Sequence, residues 1–340
     1  MNKELERRVP GPDWRAVAKS VNVYVVLFVV VAVLSLIKGE LFGRGNFLNW
    51  SDNLVNLLRL SAPTIVIACG FTLIMIAGQM DLSVGSAMSL SSVVYCMLVL
   101  HGVPMLPAVF VTMIMGIGLG LVNGVMVMRL CITPVIATLI TMNLYQGIAR
   151  YLVPPGISAI KSGSVLKMPV WINDFARKGV FLGLPRAFFA ALAVVVILAV
   201  IQRRTILGKY AAAIGGNRVA AELSGINTKR VVTILYMLTG MLASLAGVMR
   251  GSYMSLGDPL CGVGMETDCI IVVLLGGTAF TGGEGSCVKS VVGVFIIMSI
   301  TVGLKAAIPE YWQSFVKSCV LIMAVTLNHI LSTPSRAVRV

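Results

Sequence analysis

The sequence predicts an all-α polytopic membrane protein of about ten transmembrane helices, including short, broken or re-entrant segments. Three observations carry that class. Of 340 residues, 58% are hydrophobic and only 12% charged, where a soluble domain carries about 25% charge. Apolar runs of about 17–25 residues, long enough to cross a bilayer, recur from Val21 to Leu331. The alternating segments of about ten residues that mark a β-barrel are absent.

Along the chain, the first span is expected at Val21–Ile37, behind the basic residues Lys3, Arg7, Arg8, Arg15 and Lys19 of a cytoplasmic segment 1–20. No small-residue cleavage pattern follows it, so the span is read as retained. The second span, Leu54–Ala77, runs into Met80-Asp-Leu-Ser-Val-Gly-Ser86 and the third, Val84–Leu100. An aspartate costs several kcal/mol in hydrocarbon, so Asp81 faces a cavity, a polar partner or the interface. Ser83, Gly85 and Ser86 suit a helix start; Asp81 and Ser83 then mark either a surface cap or a hinge or pathway element. The fourth span, Val103–Met128, carries Gly116, Gly120 and Gly124 on one face, a pattern for close helix packing. A dinucleotide loop would need a strand before it. Asn123 bonds across helices or lines a pathway.

The fifth span, Val135–Leu152, holds Thr138, Thr141, Asn143 and Gln146. A proline-rich external loop, 153–186, follows, with Trp171 and Phe175 suggesting a short interfacial helix. It is either a lid or partner contact or a solvated connector. After the sixth span, Ala187–Ile201, the polar stretch 203–230 cannot rest in lipid. Ala220, Ala221 and Glu222, with Gly225 three residues on, read as a short amphipathic helix closed by glycine, displayed as a docking handle. The seventh span is Val231–Met249. The eighth, Asp268–Phe280, is too short to cross comfortably and reads as broken or re-entrant; its end merges into the glycine-rich run Leu275–Ser286, which includes Thr278. Val288–Leu304 and Phe315–Leu331 complete a single transmembrane domain, 21–331, with a cytoplasmic tail at 332–340. Ten spans place both termini and 203–230 on the cytoplasmic side, which a modest excess of basic residues there favours.

The net charge of +14 sits in loops and termini, where it orients spans, and does not indicate nucleic acid. The seven cysteines contain no C-x-x-C pair and read as small buried hydrophobes; Cys261 and Cys269 pair only if their loop lies in an oxidising space. His101 and His329 lie far apart and metal-ligand spacing is missing, so no metal site is expected. No clustered nucleophile and base indicate an enzyme, and catalytic residues are none. The glycine-rich run lacks the Lys–Ser or Lys–Thr of a phosphate loop, so energy for transport comes from an ion gradient or another subunit. Mid-span polarity is thin and uncharged, which suits a neutral, hydroxylated solute.

Three motifs together resemble the membrane-spanning permease of bacterial ABC importers for ribose, galactose and related sugars: Asp81-Leu-Ser-Val-Gly-Ser86; Gly208-Lys-Tyr through Ala213-Ile-Gly-Gly-Asn217 with Ala220-Ala-Glu-Leu-Ser-Gly-Ile226; and Asp268 with Gly276-Gly-Thr and Gly282-Gly-Glu-Gly285. They stand in family order within a resemblance extending from about Leu54 to Asn328. Gln79-Met80 and Glu266-Thr267 depart from the family's usual Gly-Ile and Glu-Leu. The resemblance implies a type II importer-like subunit of the bacterial inner membrane that pairs with a second permease copy or a paralogue. It implies docking on two cytoplasmic ATP-binding subunits, which hold the ATP and Mg²⁺, and a periplasmic solute-binding protein at the outer face. It implies that Gly216, Asn217, Arg218, Ala220, Ala221, Glu222, Leu223 and Gly225 couple to the ATPase, with Lys229 and Arg230 as further charged contacts. Asp81, Ser83, Asn123, Asn143, Gln146, Asp268 and Thr278 are candidates for pathway or gate. Alternatives are an importer permease for a nucleoside, polyol or sugar-derived signal, and an ion-coupled secondary carrier that works without an ATPase.

Overall fold

The computed structural model describes residues 23–32, 54–153, 179–181 and 183–304, with positions 309, 312–313, 315–320, 322 and 326 beyond them. The segment 1–20, residues 154–178 of the expected external loop, much of the tenth span and the tail 332–340 lie outside the described residues.

The described chain is almost wholly helical. α1 is Val23–Ala32, α2 Val55–Ile76, α3 Val84–Leu100, α4 Met105–Met128 and α5 Pro134–Tyr151. A small antiparallel hairpin, β1 (Gly179–Phe181) and β2 (Leu184–Pro185), precedes α6, Arg186–Arg204. Two short helices follow, α7 (Ile206–Gly216) and α8 (Arg218–Leu223). α9 is Thr228–Met254, α10 Met265–Leu275 and α11 Cys287–Leu304. Among the described residues, α2, α4, α6 and α9 are long and apolar enough to cross a membrane.

α2 is the central post. Its residues from Ser61 to Ile76 are buried on every face, which explains an apolar helix without an amphipathic stripe. α9, α11 and α6 pack around it. Pro63 lies inside α2, as bundled membrane helices tolerate. By contrast α4 and α6 bury only 22% of their apolar windows, leaving Phe110, Ile114, Val196 and Ile197 on the outside, the side chains that a bilayer solvates.

Among the described helices α4 and α9 share the most extensive contact, and the glycine row makes it. A Cβ at Gly120 would overlap the carbonyl oxygen of Tyr236, one at Gly116 would overlap Ser244 and Gly240, and one at Gly240 would overlap Gly116. The two backbones therefore touch along Gly116, Gly120 and Gly124, where lipid supplies no hydrophobic drive and van der Waals contact must hold the pair. Contacts between helix ends also sort the bundle into two ends. The C-termini of α2 and α4, the N-termini of α5 and α9, and the whole of α7–α8 share one end, joined by Gly78 beside Gly215, Gly124 beside Thr233, and Thr141 beside Asn123.

The sixth span runs on past Ile201 to Arg204, and three other expected spans move. The fourth span starts at Met105 rather than Val103, because Gly102, with φ +85°, and Pro104 form the turn. The seventh is longer at both ends, Thr228–Met254, with Asn227 capping its start by accepting from the Arg230 amide at 3.0 Å. The eighth shifts upstream to Met265–Leu275 and stops at Gly276–Gly277; the apolar Ala279 and Phe280 extend the hydrophobic run but belong to the turn after it.

Candidate functional site

The polar stretch after α6 folds as two helices with a sharp corner between them. Asn217 adopts extended backbone, ends α7 and caps α8, its Oδ1 accepting from the Ala220 amide at 3.0 Å. Gly216 is the last residue of α7 and is exposed. On α8, Arg218 Nε donates to Glu222 Oε1 at 3.1 Å, and the Thr228 hydroxyl donates to the same oxygen at 2.7 Å. Thr228 thereby ties α8 to the first turn of α9. The Thr228 hydroxyl, followed by the Arg218 guanidinium, holds the Glu222 carboxyl below its ordinary range. Gly225 closes the helix at φ +82°, and the Ile226 amide reaches back to the Ala221 carbonyl at 3.1 Å, a turn that a side chain there would strain.

Outward, α8 shows an apolar pair beside the half-exposed Arg218–Glu222 bridge. Ala221 is buried against the bundle, Ala220 is exposed, and Val219 and Leu223, four residues apart on one face, are 67% and 85% exposed. A six-residue helix is too short to persist on propensity alone. Here caps and the Glu222–Thr228 bond rigidify it, which presents Val219 and Leu223 in fixed positions.

Behind α8 lies a junction that the sequence did not reveal. The carbonyl of Ile76, at the end of α2, accepts from the Gly283 amide at 2.8 Å. A Cβ at Gly215 would overlap both that carbonyl and the Gly283 amide, and one at Gly282 would press on Gly78 and Gly215. The end of α2, the end of α7 and the glycine-rich turn thus meet backbone to backbone. Gln202, just past the expected end of the sixth span, fastens the same turn: its Nε2 donates to the Gly285 carbonyl at 2.7 Å and its Oε1 accepts from the Cys287 amide at 3.0 Å. Thr278 is fully buried in this turn, and its hydroxyl makes no hydrogen bond among the described residues.

Asp81, Ser83 and Asn123 come together. All three are buried. Asp81 Oδ1 accepts from the Ser83 amide at 2.9 Å and the Ser83 hydroxyl at 2.6 Å, while Asn123 Nδ2 donates to both Asp81 oxygens at 3.2 and 3.3 Å and to the Ser83 hydroxyl at 2.8 Å. Thr141 of α5 completes the knot, its hydroxyl donating to Asn123 Oδ1 at 2.6 Å. Tyr236 of α9 holds the neighbouring Met80 carbonyl at 3.0 Å. Of the readings open for Asp81, a surface cap is therefore replaced by an enclosed network joining the α2–α3 loop to α4, α5 and α9. Ser83 occupies the N-cap position of α3 but makes no capping bond, because its hydroxyl serves Asp81.

Gln146 has a different task. Its Nε2 donates to the Pro259 carbonyl at 2.6 Å, holding the stretch 255–264 between α9 and α10. That stretch returns along α3: Gly257 abuts Cys96, and Gly262 abuts Gly85 and donates to the Ser89 hydroxyl at 2.9 Å. The distance from Cys96 to Gly85 is about 16 Å of helix, so α10 begins inside the bundle and, at about 16 Å itself, spans only about half of a bilayer core. Non-helical backbone at such depth requires surrounding protein, and α3 and α5 provide it. Asn143 faces outward on α5, its amide turned back to the Leu139 carbonyl at 3.0 Å. Asp268, in the first turn of α10, is paired with Lys317, Nζ to Oδ2 2.8 Å, beside a cavity of about 300 Å³. Lys317 falls in the expected tenth span and had no sequence signal linking it to Asp268.

Comparison with known proteins agrees with this architecture. The family described as branched-chain amino acid transport system / permease component matches residues 53–325. A ribose import permease protein of Escherichia coli K12 is 32% identical over 95% of this chain and 97% of its own length, and one of Bacillus subtilis 34% identical over 96% and 98%. A D-allose transport system permease protein of Escherichia coli K12 is 33% identical over 91% of each. No solved structure matches the chain.

Proposed function

Because the chain belongs to the branched-chain amino acid transport system / permease component family, as a sugar ABC importer permease of the inner membrane, we propose that it forms the pathway for a monosaccharide such as ribose or galactose in an ATP-driven importer. The observation that carries the coupling is α8, whose Val219 and Leu223 stand 67% and 85% exposed on a capped, rigid helix. Apolar side chains fixed in this way suit a groove on a partner, with Arg218 and Glu222 at the rim. The partner is an ATP-binding subunit, which holds ATP and Mg²⁺. Nucleotide-driven closure would push on α8. Through Ala221, Thr228 and the Gly215 junction that push reaches α2, α9 and the glycine-rich turn, which supports alternating access.

The solute arrives from a periplasmic binding protein on the opposite end. The relatives' names, ribose and D-allose, favour a neutral sugar, as does the uncharged polarity of α4 and α5. The exposed face of α5, with Ile140, Asn143, Leu144 and Gly147, supports a second permease copy there, since an amide facing lipid is costly; lipid covers the remaining apolar faces.

The test is uptake of radiolabelled ribose and galactose into vesicles holding this chain with its ATPase and binding protein. ATP-dependent uptake is expected, together with its collapse in Glu222→Ala, Gly225→Pro and Leu223→Asp. Uptake driven by an ion gradient without the ATPase would overturn the reading and make the chain a secondary carrier.

A further inference from the structure

α10 is a rigid piece of helix between two corners. Its eleven residues begin after Gly264, at φ +83°, and end before Gly277, at φ +78°. Left-handed backbone is cheap only for glycine, and a few residues at the ends of an element are where a fold absorbs rotation. At one end α10 runs into the glycine-rich turn that meets Ile76 and Gly215. At the other, about 12 Å along the helix, Asp268 holds Lys317, whose Nζ donates to the two carboxylate oxygens at 3.0 and 2.8 Å.

The surroundings make that ion pair a joint between elements. Residues 315–320 are helical, and Val316 and Val320 pack on the cluster of Ile296 and Ile300 from α11, as does Leu275 at the far end of α10. Beside the first turn of α10 that packing gives way to a cavity of about 300 Å³, lined by Thr267, Ile271, Thr301 and Gln313 together with the pair. Close-packed side chains transmit displacement and an open gap does not, so at this level the link from α10 to residues 315–320 falls to the two charges. Their side chains are only 21% and 19% exposed, which makes the attraction stronger than between solvated surface charges.

We propose that Asp268 and Lys317 are positioning residues for transport: they form a tie that makes the tenth span follow α10 when the glycine-rich turn moves. The inference rests on the importer reading above and extends the path of the push described there. A displacement arriving at Gly215 enters the turn, α10 carries it to its inner end, and the ion pair hands it to residues 315–320. Without the tie, α10 pivots about its Leu275 end and the span stays behind.

The test is the amount of radiolabelled ribose taken up per ATP hydrolysed, in vesicles holding this chain with its ATPase and binding protein. Lys317→Arg keeps the charge and the donors, and the cavity admits the longer side chain, so it is expected to keep the wild-type ratio. Lys317→Met removes the charge and strands Asp268, which lowers the unfolding temperature. Asp268→Asn/Lys317→Met leaves no uncompensated charge and is expected to recover that temperature. Both Lys317→Met proteins are expected to hydrolyse ATP while their ratio falls about ten-fold. A double variant with the wild-type ratio overturns the proposal, since the pair would then serve folding alone. So does a folded Lys317→Arg protein whose ratio is as low as that of Lys317→Met, a comparison that holds even where the double variant melts early. ATP-dependent uptake by wild type in the same vesicles separates these results from failure of the importer reading.

Discussion

The Asp81 carboxylate has no access to water and depends on donors from three parts of the chain: Ser83 in its own loop, Asn123 on α4 and, through Asn123, Thr141 on α5. Removing one member leaves buried polar atoms unsatisfied, which costs about 1–3 kcal/mol. Asp81→Ala is expected to lower the unfolding temperature of the solubilised protein more than Thr141→Val, which deletes a single donor. The polarity of Asp81 and Asn123 was legible in the sequence, and their partnership was not: 42 residues separate them, and no local pattern encodes which helix faces which. Glu222 gives a pH prediction. Its folded pKa lies below the ordinary value, so its tie to Thr228 is fully present above about pH 4.3 and is lost as pH falls through the folded value. Hydrogen exchange at the amides of α8, corrected for intrinsic rates, is expected to stay protected at neutral pH and lose protection only in acid; Glu222→Leu, which offers the Thr228 hydroxyl no acceptor, should be less protected at pH 7 and show no acid step.

Among elements, the α4–α9 seam separates two kinds of glycine. Gly120→Ala drives a methyl into the Tyr236 carbonyl, whereas a Cβ at Gly118 meets nothing within 4 Å. Gly120→Ala is expected to destabilise by about 1–3 kcal/mol as an overpacked interface, and Gly118→Ala to leave thermal stability unchanged. The four-residue spacing made that seam readable in advance, because it places small residues on one face whatever the partner. The eighth element was readable only in kind. Its shortness came from the apolar run, but its limits did not, since Ala279 and Phe280 look like helix while Gly277, at φ +78°, has already turned the chain. The return of 255–264 along α3 had no sequence signal. It rests on the Gly85–Gly262 approach and on single bonds from Ser89 and Gln146, which are properties of the assembled bundle.

At the scale of the whole molecule, the junction of Ile76, Gly215 and Gly283 is where the displayed end of the protein meets its centre. Because backbone touches backbone there, motion at α7 cannot be absorbed by side chains. Gly215→Ala is expected to depress ATP-driven uptake strongly, while Gly118→Ala, whose Cβ would meet nothing within 4 Å, should transport like wild type in the same vesicles. The short α10 also constrains how the chain is made. Eleven residues are too few to leave the translocation machinery for lipid unaided, since about 20 are needed. During synthesis α3 and α9 emerge before α10, but α11, whose Gly293 and Ser290 pack against Val272 and Gly276, emerges after it. α10 must therefore wait for α11 and enter with it as one hairpin about the glycine-rich turn, so a chain halted at residue 286 would leave α10 unplaced.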